Sequence, residues 1–489
     1  MKVFFKNIRI AALLTVLAFI LPSCKDFLEE NPKDRIATSN YYKTEQDAIS
    51  AVNAIYGHLN SQSFDTFGGV YHSSFWVTIG LASDEMSNNQ AGQTSLDQLS
   101  TFTHGPDNGT IYDVWKQHYK AISLANIAIE RIPSIVMDEN LKSRLVNEAK
   151  FLRALLYFDM VRMFGSIPLL LNEVESVTPE VAVVDDIYAQ IISDLTDAEN
   201  LPTEQTEGRG RATKGAAKAL LAKVYLTQKN YDKTLEKTRE VMDLGVYSLW
   251  DDFRDIYKIQ NRGLKEAIFS VGFGDAGGQI TFWEVSQFHV RLLPAALVNA
   301  GVTTNTLGWQ IPTPALAAAY ESGDERGPAT VFNSFNETVA GTDYNVPFDK
   351  YYFRKYWDVT VSGEFQAKES NQDFPLLRYA DVLLMHAEAL NESGQAPLAH
   401  DYLNMIRTRA GLNGLSGLTP EQFRDAVLQE RRVEFAAEGH RWFDLVRMGK
   451  LETIVPFAKP GVTPQARHYL FPIPLRERQL NSNLPQNDY

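Results

Sequence analysis

The sequence predicts a mainly α-helical fold, an α-solenoid scaffold of helix pairs joined to an irregular part rich in loops and short strands. Three observations predict it. Apolar residues recur at i, i+3, i+4 and i+7 through much of residues 44–250, the spacing of one buried helix face. Two helix pairs, 212–245 and 376–411, carry small residues where neighbouring helices must approach closely. Between them, from 251 to 373, the helical periodicity gives way to Gly, Thr, Asn and aromatic residues.

The N-terminus carries different information. Lys2, Lys6 and Arg9 precede an apolar run from Ile10 to Ile20. About eleven residues is too short for a membrane-spanning helix and suits the hydrophobic region of a signal peptide. The run ends in Leu21-Pro22-Ser23-Cys24, which resembles the lipobox of bacterial lipoproteins, where the cysteine becomes the acylated N-terminus. Cys24 is the only cysteine in 489 residues, so it has no disulfide partner within the chain. Several acyl chains at roughly 0.8 kcal/mol per methylene would make a durable anchor. Residues 1–23 are expected to be a signal peptide and 24–40 a lipidated tether. Asp26, Glu29 and Glu30 beside the cysteine resemble surface-export signals of lipoproteins, pointing to the outer face of the outer membrane.

Removing residues 1–23 takes away three basic and no acidic groups, moving the formal charge from -13 to -16. That balance argues against nucleic acid, whose binding rests on Lys and Arg neutralising phosphates. No second apolar run reaches membrane-spanning length.

Along the body, Thr44 and Asp47 form a capping-box pattern ahead of Ala48, Ala51, Val52, Ile55, Tyr56 and Leu59 on one helix face. A second helix carries Ile111, Trp115, His118, Ile122, Ala125 and Ile129. A third carries Leu145 to Met163 and stops at Gly165. A fourth spans about Asp185 to Leu201. The pair at 212–245 has small residues at its contacts and Tyr231 just after its turn, which resembles a tetratricopeptide unit. The pair at 376–411 repeats the pattern, so the helical part is expected to be a tetratricopeptide-like solenoid. Residues 41–250, 251–373 and 374–489 are read as N-terminal helical, loop-rich and C-terminal helical regions of one compact unit. Strand-like pieces such as Ala267–Val271 are expected in the middle.

The segment Glu430 to Arg447, with Glu434, Glu438, Gly439, His440, Arg441, Trp442, Phe443 and Asp444, resembles the characteristic motif of the SusD/RagB family of outer-membrane nutrient-binding lipoproteins. Cys24 to Leu28, Glu148 to Ala154 through Gly165, the pair at 376–411 and Phe471-Pro472-Ile473-Pro474 match in family order. The resemblance covers essentially all of residues 24–489. It implies a lid-like lipoprotein that captures oligosaccharides and delivers them to a SusC-like TonB-dependent transporter. Peptide capture on the same scaffold, a tetratricopeptide adaptor and a surface glycoside hydrolase are the rival readings.

Physically the 430–447 motif reads as structure. On a helix, Glu430, Glu434 and Glu438 share a face, and Arg431, Arg432, Arg441 and Arg447 can pair with carboxylates. Gly439 is expected to end that helix before Trp442 and Phe443 fold back. The rival, Glu434 and Glu438 as catalytic acids, needs a raised pKa that neighbouring guanidiniums oppose.

The remaining chemistry is sparse. Nine histidines are scattered without a metal-ligand pattern, and no cofactor or metal is expected. Gly208-Arg209-Gly210-Arg211 lacks phosphate-loop spacing and reads as a solvated linker. His104 to Gly109 reads as turn chemistry rather than a calcium loop. Sugars offer apolar C–H faces and a hydroxyl rim, so a binder needs aromatic platforms flanked by amides. Two regions supply them: 71–110, with Tyr71, Trp76, Phe102, Asp84, Asn88, Asn89 and Gln90, and the middle, with Phe282, Trp283, Phe288, Trp309, Tyr344, Tyr351, Tyr352 and Trp357. Trp283 and Trp309 stand out as platforms with Asn88 and Asn89 as polar partners. Trp76 and Phe102 complete the expected ligand-binding set.

Overall fold

The computed structural model describes residues 42–60, 68–173, 176–205, 208–274, 286–304, 306–359 and 371–489. Cys24 and the tether, as well as Phe282 and Trp283, lie outside the described residues.

Helix α1 (Glu45–Asn60) opens on a reciprocal cap: the Asp47 amide donates to Thr44 Oγ1 at 3.2 Å and the Thr44 amide to Asp47 Oδ2 at 2.9 Å. Ala48, Ala51, Val52, Ile55 and Leu59 are buried, as their spacing requires. Helix α2 (Ser74–Leu81) is short and buried on every side. Asn108 caps α3 (Gly109–Arg131) by accepting from the Thr110 and Ile111 amides. Helix α4 (Glu139–Phe164) stops at Gly165 with φ of 73°. Helix α5 (Val184–Ala198) ends before the expected Leu201, because Pro202 disfavours helical backbone at the residue ahead of it.

The solenoid follows. Helices α6 (Lys214–Thr227) and α7 (Tyr231–Asp243) pack as an antiparallel pair, with Asn230 capping the second by accepting from the Lys233 amide. Helices α8 (Tyr379–Glu392) and α9 (Ala396–Arg409) form the next pair, and α10 (Pro420–Glu434) packs on α8. Leu235, Leu383, Ala387, Leu403, Ile406, Phe423 and Val427 fill the space between them. A larger apolar core runs from Ile55 and Trp76 through Leu152 and Phe269 to Phe374 and Trp442, so all three sequence regions contribute to it.

Among the described residues six strands make three antiparallel pairs: β1 (Met86–Asn88) with β3 (Gln310–Pro312), β2 (Ala267–Val271) with β6 (Phe374–Arg378), and β4 (Val331–Val339) with β5 (Thr342–Phe353). The β4–β5 hairpin is longer than the short pieces the sequence suggests. Its turn, Ala340-Gly341, has φ of 50° and 82°, the doubly positive geometry that matches strand twist, but alanine hides the signal that Asn-Gly would give. Between the pairs Phe332↔Tyr352 and Ser334↔Pro347, β4 advances two residues and β5 five. The surplus forms a bulge that holds Asp349, Lys350 and Tyr351. A satellite core of Leu293, Leu297, Phe332, Phe335, Val346 and Trp357 lies under the hairpin.

The helix that opens the 430–447 motif stops short of its expected end at Gly439. Helix α10 ends at Glu434, five residues before Gly439. The buried Lys355 Nζ donates to the Glu434 and Ala436 carbonyls at 2.8 and 2.9 Å, and Ala437 takes φ of 63°, so the end of the helix is captured and turned. Trp442 and Phe443 pack back on α11 (Arg441–Arg447) as expected. Arg378 donates to Glu438 at 2.7 Å and Glu434 at 3.0 Å, and Arg326 donates to Glu430 at 2.6 Å. Burial opposes the charge, yet Arg409, Arg378 and Arg326 hold Glu434, and Arg378 and Lys355 hold Glu438, well below the usual carboxylate range. Guanidiniums so placed oppose the raised pKa that a general acid needs. The Gly208 to Arg211 segment is likewise no free linker: Arg209 grips Asp373 at 2.9 and 3.1 Å, and Arg211 pairs with Glu148 at 2.8 Å.

Candidate functional site

Five segments of the chain meet at one rim. The β1–β3 ladder sets Asn88 opposite Gln310, and the next rung joins the Asn89 amide to the Trp309 carbonyl at 2.7 Å. Asn89 also donates from Nδ2 to the Gly308 carbonyl at 2.9 Å and accepts at Oδ1 from Lys350 Nζ at 3.1 Å. Asn88 braces its own loop, donating to Asp97 Oδ1 at 2.7 Å and to the Gln90 carbonyl at 3.0 Å. Trp309 is half-buried, and the buried Arg291 guanidinium lies over its ring, 5.2 Å from the centroid. Leu307 and Tyr351, 40% and 41% exposed, flank the rim.

Gly308 lets the loop sit this close. Its φ is +58°, and a Cβ there would stand 2.5 Å from Tyr352 Cε1. Tyr352 in turn donates to Asp349 Oδ1 at 3.0 Å. Burial and then Asp349 push the Tyr352 hydroxyl up to about 12. Asp349 is lowered: desolvation, the largest single effect, raises it, but the Tyr352 hydroxyl and the Lys350 ammonium together outweigh it.

The rim is anchored through the residues leading into β1. The Thr313 amide donates to the Glu85 carbonyl at 2.8 Å and Thr313 Oγ1 to the Asp84 carbonyl at 2.6 Å. The Asp84 carboxylate is gripped by Arg441 at 2.7 and 3.0 Å and by Arg432 at 3.0 Å. Beside it, Glu85 is 3% exposed, its Oε1 has no hydrogen-bond partner, and its nearest donor, the Ala437 amide, is 3.4 Å from Oε2. Burial and then the Asp84 charge push the Glu85 carboxyl up to about 8, so it is neutral at pH 7.

The structure thus brings Trp309, Asn88 and Asn89 together and corrects two others of the expected set, Trp76 and Phe102, while Trp283 lies outside the described residues. Trp76 is 1% exposed on α2, wedged against Phe288 at 5.3 Å, and Phe102 is 3% exposed beside His468. Both are core side chains with no face to offer a ligand. Phe288 is stacked on Tyr356, Trp357 lies in the satellite core, and Tyr71 donates to Asp159 from a fully buried position. Sequence reasoning missed Lys350 and Arg291. The signal for the first was present as the run Asp349-Lys350-Tyr351-Tyr352, a charge pair abutting two of the aromatics that were noted.

Among the described residues no group of three or more His, Cys, Asp or Glu could hold a metal ion, and no helix is long and apolar enough to cross a membrane. A separate cavity of about 720 Å³ is lined by residues that include Asp252, Arg254, Glu337, Arg354 and Trp357, and two ion pairs close within its walls, Arg254 with Asp252 and Arg354 with Glu337.

Two family models match the chain: that of the SusD family over residues 317–489, and one described as starch-binding and associating with the outer membrane over residues 26–226. SusD-like protein P2 of Formosa agariphila is 31% identical, the match covering 97% of this chain and 98% of that protein. The crystal structure of a SusD-like protein from Bacteroides fragilis superposes with a TM-score of 0.81 at 26% identity, covering 94% of this chain and all of that one. A laminarin-binding SusD-like protein superposes at 0.77 and 28% identity, covering 91% of this chain and all of that one. The chain belongs to the SusD family.

Proposed function

We propose that this protein is a cell-surface, lipid-anchored glycan-binding protein that captures oligosaccharides without transforming them and passes them to a SusC-like TonB-dependent outer-membrane transporter. The observation that carries the reading is the rim itself. A half-buried tryptophan is locked main chain to main chain with an exposed asparagine, offering a sugar a flat apolar face beside an amide. The laminarin-binding relative supports the same class of ligand. Glu434 and Glu438 of the family motif are ion-paired and held below the usual carboxylate range, which favours capture over hydrolysis. Cys24 would supply the anchor, and the transporter would add avidity to a modest local affinity.

Calorimetric titration against a panel of oligosaccharides and peptides, with product analysis on the same samples, tests this. Saturable glycan binding without product, weakened about tenfold or more by Trp309→Ala, is the expected result. Saturation by peptides alone, or release of shorter sugars, would overturn it.

A further inference from the structure

We propose that the rim selects acidic sugars, oligosaccharides bearing a uronate carboxylate or a sulfate ester, and that Lys350 reads that charge. This rests on the glycan reading above and narrows it to a substrate class.

The first observation is the placement of the ammonium. Lys350 stands in the β5 bulge rather than in a regular ladder position, and its Nζ reaches Asn89 Oδ1 at 3.1 Å. Bulges re-aim side chains in this way beside binding sites. An ammonium has three N–H donors. Asn89 takes one, Asp349 Oδ2 lies 3.3 Å away, and the side chain is 38% exposed, so a donor remains open to solvent beside the amide that sugar hydroxyls would meet.

The second is the guanidinium on the other side of the platform. Arg291 is 5% exposed, donates to Gln310 Oε1 at 3.3 Å and lies over the Trp309 ring. A cation on one face of an indole offsets the negative potential of its π cloud. The ring then repels an anion over its other face less than a bare tryptophan would. Burial keeps water from screening that charge fully.

Two carboxylates stand nearby and keep their charge. Asp349 pairs with the ammonium and accepts from Tyr352, and Asp97 accepts from Asn88, so the selectivity rests on the open donor of Lys350 and not on a net positive rim. An anionic oxygen at Lys350 makes a charge-assisted hydrogen bond, whereas a neutral hydroxyl there makes an ordinary one. The difference appears as selectivity between sugars of equal length.

The test titrates the whole chain with three probes of matched length: neutral β-1,3-gluco-oligosaccharides, oligouronates and sulfated galacto-oligosaccharides. One or both acidic probes should bind roughly tenfold tighter than the neutral one. The acidic-to-neutral ratio should fall toward one in Lys350→Gln and persist in Lys350→Arg. The two acidic arms tell a carboxylate reader from a sulfate reader. Equal or weaker binding of both acidic probes, or a ratio unchanged in Lys350→Gln, overturns the proposal while leaving glycan capture intact. Failure of all three probes to bind, alongside saturable peptide binding, overturns the glycan reading and this proposal with it.

Discussion

Arg441 holds Asp84 through two parallel hydrogen bonds, Nε to Oδ1 at 2.7 Å and Nη2 to Oδ2 at 3.0 Å. The grip ties the C-terminal motif to the residue that leads into β1, and β1 carries Asn88 at its end. Removing Arg441 leaves the buried Asp84 carboxylate with Arg432, at 3.0 Å, as its remaining ion-pair partner among the described residues. Arg441→Ala is therefore expected to destabilise the fold by about 3–5 kcal/mol in urea unfolding. Arg441→Lys, which keeps a charge but not the fork, should lose less. A loss within about 1 kcal/mol for the alanine variant would contradict this, since exposed pairs lose no more than that.

Glu85 sets a pH dependence of opposite hand to the usual carboxylate. Its folded pKa, about 8, lies above the ordinary 4.5. Between those values the folded state binds the extra proton, so this group's contribution to stability declines as pH rises from about 4.5 to 8 and is flat above. Glu85→Gln removes that slope. The variant should match the parent near pH 4 and exceed it at pH 8.5, by an amount on the order of 5 kcal/mol. Denaturant midpoints at the two pH values decide it, and parallel pH profiles for parent and variant would refute the assignment.

Gly308→Ala combines a positive φ with a Cβ placed 2.5 Å from Tyr352 Cε1. The loop must shift off β5, at a cost of about 1–3 kcal/mol. Because Trp309 is the next residue, ligand affinity should fall further than global stability does. Thermal melts and glycan titrations on the same sample make the comparison, and equal affinity in the two proteins would show that the loop position is immaterial.

Trp76 and Trp309 should separate cleanly. Trp76→Ala empties a core position that is 1% exposed and should cost about 3–5 kcal/mol. Trp309→Ala should cost far less stability and mainly affect binding. If Trp76→Ala left the melting temperature unchanged, its place in the core would be wrong.

The helical scaffold was legible because its signals are local. The Thr44–Asp47 cap, the Gly165 stop and the buried stripe of α1 each depend on residues within a few positions of one another. The end of α10 was not, because the group that captures its last carbonyls, Lys355, comes from a distant part of the chain. The site divides the same way. Asn88, Asn89 and Trp309 were chosen for residue type and irregular context, and the β1–β3 ladder joins them. Trp76 shares that residue type, but helix α2, with all eight residues buried, carries no periodicity to warn that its tryptophan faces inward. Lys350 and Arg291 owe their places to a bulge and a cation–ring contact that no spacing rule reports.

The β5 bulge also bears on how this protein could diversify. Its surplus residues hang between two fixed pairings, Phe332↔Tyr352 and Ser334↔Pro347, so an insertion or deletion there need not slip the remainder of the hairpin. Recognition can then be rewritten one residue at a time at 348–351 while the helices and the ion-paired motif stay as they are. One inherited frame can in this way be refitted to many nutrients.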